Sequence, residues 1–297
     1  MFATVLAKLL TPETELKETL RFAVIGHPIS HSRSPDIHAL FAKQTGIDLE
    51  YGRIDADPDK FEAIVHEFFE HGGKGLNVTV PFKERAFDLA RNNLSQRALR
   101  AAAVNTLWQV NGQIHGCNTD GVGLLEDLKR LDMLGHAQRI LLLGAGGAAR
   151  GVLGPLLESG CQWLQIANRT VSRAQVLCDQ WIEQSPEDAS RLGACSLEDP
   201  VLNQPWDLII NATSGSLSGQ AIALPANAVT AQTGVYDMMY GAAPTPFLEH
   251  ARQLGAIQLA DGLGMLVGQA AESFRIWNGI RPDIEPVLQQ IRSQLKG

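Results

Sequence analysis

The chain has 297 residues, 45% hydrophobic and 19% charged with 28 glycines, a composition that predicts a soluble globular protein with room for two ordinary domains. A net charge of −7 argues against a nucleic acid or an anionic membrane as partner, while leaving room for a locally basic anion site. The four cysteines, Cys117, Cys161, Cys178 and Cys195, match no metal-ligand spacing, and a reduced, cytoplasmic setting is the simplest reading. The apolar start MFATVLAKLL is interrupted by Lys8 and carries no convincing cleavage site, so roughly the first 20 residues read as an extension or added helix.

Strand-like and helix-like segments alternate, which predicts α/β architecture. Arg21–Gly26 reads as a strand, and Ser34-Pro35 opens a helix with Ile37, Leu40 and Phe41 on one face. Leu49–Asp55 is a second strand and Pro58–Glu70 a helix; Gly75–Val80 and Phe82–Arg91 repeat the pair. Asn111-Gly112 between two extended runs is a strong hairpin signal. From Asp120 a helical segment leads to the strand Ile140–Leu143, a glycine turn, a helix, the strand WLQIANRT and a helix to about Ile182. WDLIINATS and GVYDMMY supply two later strands, and from Gly262 the chain is mostly helical.

Gly144-Ala145-Gly146-Gly147-Ala148-Ala149 sits between that apolar strand and that helix, the context a dinucleotide fingerprint requires. Gly144 permits the tight turn, Gly146 lets amides approach a pyrophosphate, and Ala149 lets the helix pack close. The helix start then attracts the anion. The next strand ends at Asn168-Arg169-Thr170, with Arg173 beyond, where an NAD site usually carries an acid for the ribose hydroxyl. Cations and small polar side chains there suit a 2′-phosphate, so NADP is expected over NAD. Thr170 is equally suited to cap the following helix.

NVTVPFKE poses a different question. Val78, Thr79 and Val80 favour a strand, Pro81 ends it, and Lys83 follows at the mouth of a sheet, where open α/β folds place ligands. By itself Lys83 reads also as a solvated lysine at a helix start.

Taken together, GHPISHSRSP, NVTVPFKE, AAAVNTL, CNTDGVG, LGAGGAAR, ANRT, NATSGS, YDMMY and DGLGMLVGQAA occur in unbroken order over about residues 21 to 290, and in this the chain resembles the shikimate dehydrogenase family. The resemblance implies NADPH-dependent, reversible reduction of 3-dehydroshikimate to shikimate, a step toward chorismate and the aromatic amino acids. It implies an N-terminal α/β substrate domain completed by C-terminal helices, residues 1–120 with 262–297. A Rossmann-like NADP domain, residues 121–261, is inserted between them, and no metal is called for. The carry-over makes Lys83 the acid–base group with Asp120 as its partner, and leaves the division of work between them open. Ser32 and Ser34 match the carboxylate-binding serines, although a serine before Pro35 is also an ordinary helix cap. Thr79, Asn105, Asp120, Tyr240 and Gln269 match positions that contact the ring, and Thr213, Met238 and Gly262 the nicotinamide side. Relatives often carry an acid near Gln96, so no cofactor contact is carried onto that residue. A monomer or homodimer is expected.

Three rivals are weighed against this. A relaxed quinate/shikimate dehydrogenase often uses NAD, which Asn168-Arg169-Thr170 disfavours. A non-catalytic NADP-binding regulator is expected to lose Lys83 or Asp120, and both are present. A folate-linked dehydrogenase does not suit the paired serines and NTDG.

Overall fold

The computed structural model describes residues 19–213, 215 and 222–296. The first 18 residues, apolar start included, and part of NATSGS therefore lie outside the described residues. The first sheet starts with β1 (Leu20–Gly26), crosses through α1 (Ser34–Thr45) to β2 (Leu49–Asp55), and through α2 (Phe61–Glu70) to β3 (Gly75–Val78). Two short helices, α3 (Lys83–Leu89) and α4 (Gln96–Ala101), precede β4 (Thr106–Val110) and β5 (Gln113–Cys117). The order is β2-β1-β3-β4-β5, parallel in the first three and antiparallel in the hairpin. Asn111 and Gly112 both hold positive φ, 49° and 78°, as a tight hairpin turn requires.

After α5 (Asp120–Arg130) come β6 (Arg139–Leu143), α6 (Gly147–Glu158), β7 (Trp163–Ala167), α7 (Val171–Gln184) and β8 (Leu192–Cys195). Then follow β9 (Leu208–Asn211), β10 (Gly234–Asp237), α8 (Pro246–Gln253) and β11 (Gln258–Asp261). These six parallel strands are ordered β11-β10-β9-β6-β7-β8. Counted from β8, that is the doubly wound order of dinucleotide-binding sheets, reversing between β6 and β9.

Burial explains the strands. Ile140 and Leu142 enter one core with α6 and α7, while Leu141 and Leu143 enter another with α8. A strand covered on both faces needs an unbroken apolar run, and RILLL supplies it. The terminal helices α9 (Leu263–Asn278) and α10 (Ile284–Lys296) return to the first sheet. Trp277 stacks on Phe22 of β1 at 4.8 Å, and Phe274, Val287 and Ile291 share a core with Ile37 and Phe41 of α1. Helix α5 fits against α9 through Gly123, where a β-carbon would lie 2.5 Å from the Met265 carbonyl oxygen.

Some boundaries differ from expectation. The strand expected to reach Val80 ends at Val78, although the Thr79 amide still donates to the Ile25 carbonyl and the Val80 carbonyl accepts from His27. The helix expected over 82–91 runs Lys83–Leu89, and Pro58–Lys60 forms a tighter turn ahead of α2. Strands β8 (LGAC) and β11 (QLAD) were not anticipated. They carry no β-branched residues, and pairing with β7 and β10 makes them strands. Among the described residues no helix is long and apolar enough to cross a membrane, and no cluster of His, Cys, Asp or Glu is placed to hold a metal. The four cysteines form no disulfide and are buried.

Candidate active site

Between the carboxyl ends of the two sheets lies a cavity of about 310 Å³. It is walled by Ser32, Thr79, Lys83, Asn105 and Asp120 on one side and by Ala148, Met238, Tyr240 and Gly262 on the other, with Gln269 at the base. The loop after β3 delivers Lys83 as the first residue of α3, and the β5–α5 corner delivers Asp120 as the first residue of α5. Lys83 Nζ donates to Asp120 Oδ2 at 2.6 Å, and the two side chains are only 15% and 6% exposed. The solvated reading of Lys83 is thereby corrected: the ammonium is held indoors by a carboxylate. Asp120 does not cap its helix. Its other oxygen, Oδ1, accepts from Asn105 Nδ2 at 2.8 Å, and its amide donates to Asn118 Oδ1 at 3.0 Å.

Asn105 is 3% exposed and uses both ends of its amide. Oδ1 accepts from the Thr119 amide at 2.9 Å, and Nδ2 also reaches Gln269 Oε1 at 3.4 Å. Gln269 is anchored through Nε2 to the Leu266 carbonyl at 3.0 Å, which explains a polar side chain on an otherwise apolar helix. At the other end of the cavity the Ser32 hydroxyl donates to Ser34 Oγ at 3.2 Å. Arg53 fixes this loop by donating to the Ser32 carbonyl at 3.0 and 2.6 Å. Ser34 is not the helix cap; that position belongs to Arg33, without a side-chain cap, because the chain already enters near-helical geometry there (φ −92°, ψ 0°). Ser34 lies buried behind Ser32 rather than on the cavity wall. Burial raises the Tyr240 phenol, which keeps it a neutral hydrogen-bond donor.

Gly144 turns the chain at φ +109°, and a β-carbon there would press on Thr213 Cγ2 at 3.0 Å. Nothing lies within 4 Å of a β-carbon built on Gly146, so the turn Gly144–Ala148 leaves an open cradle under the first amides of α6. Gly147 faces Lys83: a β-carbon there would be 3.7 Å from the lysine stem. At the end of β7 Asn168 is half-buried, while Arg169, Thr170 and Arg173 are exposed. Asn168 Nδ2 donates to the Thr170 carbonyl at 2.8 Å, and Thr170 occupies the cap position of α7 without a capping hydrogen bond from its hydroxyl. Thr213 donates through its hydroxyl to Asn211 Oδ1 at 2.7 Å, and Asn211 is tied to buried Asp237 at 3.0 Å. Gly262 is required by contact, since a β-carbon would meet the Met238 carbonyl oxygen at 2.1 Å. Gln96 lines a separate pocket with Arg97 and Arg100.

Three family models match the chain. Residues 24–107 match the shikimate dehydrogenase substrate binding domain, 128–218 match shikimate / quinate 5-dehydrogenase, and 262–292 match the shikimate 5'-dehydrogenase C-terminal domain. The chain is 54% identical over 275 residues to the shikimate dehydrogenase (NADP(+)) of Bordetella avium (strain 197N), covering 93% of this chain and 96% of that one. The chain belongs to the shikimate dehydrogenase family. A second member, from Bordetella petrii, is 52% identical over the same share of each chain. The shikimate 5-dehydrogenase of Thermus thermophilus, solved in complex with NADP(H) and shikimate, superposes with a TM-score of 0.80 at 34% identity, covering 93% of this chain and 100% of that one.

In this member of the family, sequence reasoning passed over Asn77, Thr106, Thr119, Ser273 and Gly151. Four are buried polar residues, and Asn77 heads the very motif that carries Lys83. The available signal was a polar side chain within an apolar strand or helix, which needs a partner if it is to be buried.

Proposed function

We propose that this chain reduces 3-dehydroshikimate reversibly to shikimate with NADPH. The observation that carries the reading is the Lys83–Asp120 contact of 2.6 Å, with the lysine stem against Gly147 at the start of α6. A proton donor and the turn that cradles pyrophosphate thus meet at one point. On this reading residues 1–120 with 262–297 form the substrate unit and 121–261 the nucleotide unit, in a cytoplasmic monomer or homodimer.

Gly144, Ala145, Gly146, Gly147 and Ala148 would hold the pyrophosphate, and Asn168, Arg169, Thr170 and Arg173 the 2′-phosphate. Thr213, Met238 and Gly262 would border the nicotinamide. Bound NADPH supplies the hydride. The residues supply the rest. Ser32 with Ser34 behind it, and Tyr240, offer hydroxyl donors to the carboxylate end of a small ring. Thr79, Asn105 and Gln269 offer partners for its hydroxyls. The Lys83 ammonium sits where negative charge develops on the carbonyl oxygen, stabilises it and gives it a proton. Asp120 keeps the ammonium aimed, since Asn105 already occupies its other oxygen.

The test is turnover of purified protein with shikimate and with quinate, each against NADP and NAD. Rapid turnover of shikimate with NADP is expected; faster turnover of quinate with NAD would overturn the reading.

A further inference from the structure

The grip of Asp120 on Lys83 depends on Asn105, and what holds Asn105 runs from Asn77 on the cavity wall into the buried interior. Asn105 Oδ1 accepts from the Thr106 hydroxyl at 2.9 Å. Thr106 Oγ1 lies 2.8 Å from Ser273 Oγ, whose hydroxyl also faces the Gln269 carbonyl at 3.0 Å. Asn77 Nδ2 donates to Ser273 Oγ at 3.0 Å, and Asn77 Oδ1 accepts the Tyr51 hydroxyl at 2.7 Å. Asn77 has one allowed orientation, because Nδ2 also donates to the Asn105 carbonyl at 3.2 Å and a flipped amide would set two carbonyl oxygens face to face. Tyr51 is placed in turn by its ring, stacked on buried His38 at 4.2 Å with 7° between planes.

Thr106 and Ser273 are 0% exposed, and Asn77, 5% exposed, borders the cavity. Tyr51 donates to Asn77, Asn77 to Thr106 at 3.3 Å and to Ser273, Thr106 to Asn105, and Asn105 to Asp120, while Ser273, against Thr106 at 2.8 Å, gives its own proton to the Gln269 carbonyl. Polar chains of this kind in a dry interior act as a unit, and removing one donor leaves an orphaned acceptor that reorganises its neighbours.

We infer that Tyr51 is a positioning residue: through Asn77, Ser273 and Thr106 it holds the Asn105 amide, and so the Asp120 carboxylate, in the orientation that receives Lys83. This rests on the reductase reading above. Tyr51 is not on the cavity wall, but its hydroxyl also meets Ser34, so a change in KM for shikimate reports the serines and a change in kcat the relay.

The experiment is a double-mutant cycle in kcat and KM with shikimate and NADP, using Tyr51→Phe, Asn105→Ala and the pair. Tyr51→Phe is expected to lower kcat roughly tenfold, the scale of a small misplacement at a reacting centre, with KM for NADP unchanged. In the Asn105→Ala background the same substitution should cost nothing further, since the relay no longer has an end. An equal loss in both backgrounds would show a general packing role and overturn the relay; so would a parental kcat for Tyr51→Phe. Should Tyr51→Phe not fold, Ser273→Ala runs the same cycle with the same outcomes. A parent that does not turn over shikimate sinks the reductase reading and the relay's role together, whereas an active parent with an unaffected relay variant sinks the relay alone.

Discussion

Gly151 and Asp120 lie in contact across two helices: a β-carbon built on Gly151 would stand 3.0 Å from Asp120 Oδ2, the oxygen that receives Lys83, and 3.0 Å from Asn118 Oδ1. Helix α6 thus packs directly on the carboxylate at the start of α5. Gly151→Ala should push Asp120 off this position and lower kcat at least roughly tenfold, as sub-ångström errors at a reacting centre do. A parental kcat in a folded variant would show that the contact yields without consequence.

Lys83→Ala removes the proposed proton donor and the charge proposed to stand beside the developing oxyanion. A loss in kcat of at least ~10²-fold is expected, with shikimate and NADP still binding. Asp120→Asn should be slow as well, and the double variant little worse than the poorer single one, because groups that act as one unit are not additive. Near-parental kcat in Lys83→Ala would reduce the lysine to a structural cation.

Arg169, just past β7, and Arg173, in the first turn of α7, stand exposed with no acid in their place. NADP should be preferred over NAD by at least ~10-fold in kcat/KM, about 1.4 kcal/mol. Arg169→Ala should lose NADP activity and retain most NAD activity; equal loss with both cofactors removes Arg169 from phosphate recognition.

Ser32→Ala and Gln269→Ala should each raise KM for shikimate by roughly tenfold, the worth of a hydrogen bond to a charged or well-buried group, and Ser34→Ala, which removes the partner behind Ser32, by less. KM for NADP should stay where it is. Unchanged shikimate affinity in the folded variants would move substrate fixing to other residues.

Glu272 of α9 is buried among Arg97, Arg275 and Arg281. Burial alone would raise its carboxyl, but hydrogen bonds and charge from Arg275 and Arg97 outweigh that and bring it from 4.5 down to about 2. A folded-state value below the unfolded one means stability present in full above 4.5 and lost as pH falls through about 2. Urea midpoints at a series of acid pH values should therefore fall less steeply for Glu272→Gln than for the parent. Parallel slopes would show that other carboxylates govern acid unfolding.

What the residues determined by themselves was local. The glycine turn before α6, the Asn111-Gly112 hairpin and the apolar run of β6 are each set by backbone freedom or side-chain period over a few positions, and each was legible in order. β8 and β11 were not, because their residues have little strand preference and only neighbouring strands make them strands. In the candidate site, residue types and motifs pointed to Lys83, Asp120, Asn105 and Gln269 one by one. That Lys83 meets Asp120 from 37 positions away, and Asn105 meets Gln269 from 164, was decided by the packing of α5 against α6 and of α9 against α5. Asn77, Thr106 and Ser273 gave only the general signal of a polar side chain in an apolar element and Tyr51 none, since a hydroxyl or amide reveals its partner only when the fold removes water.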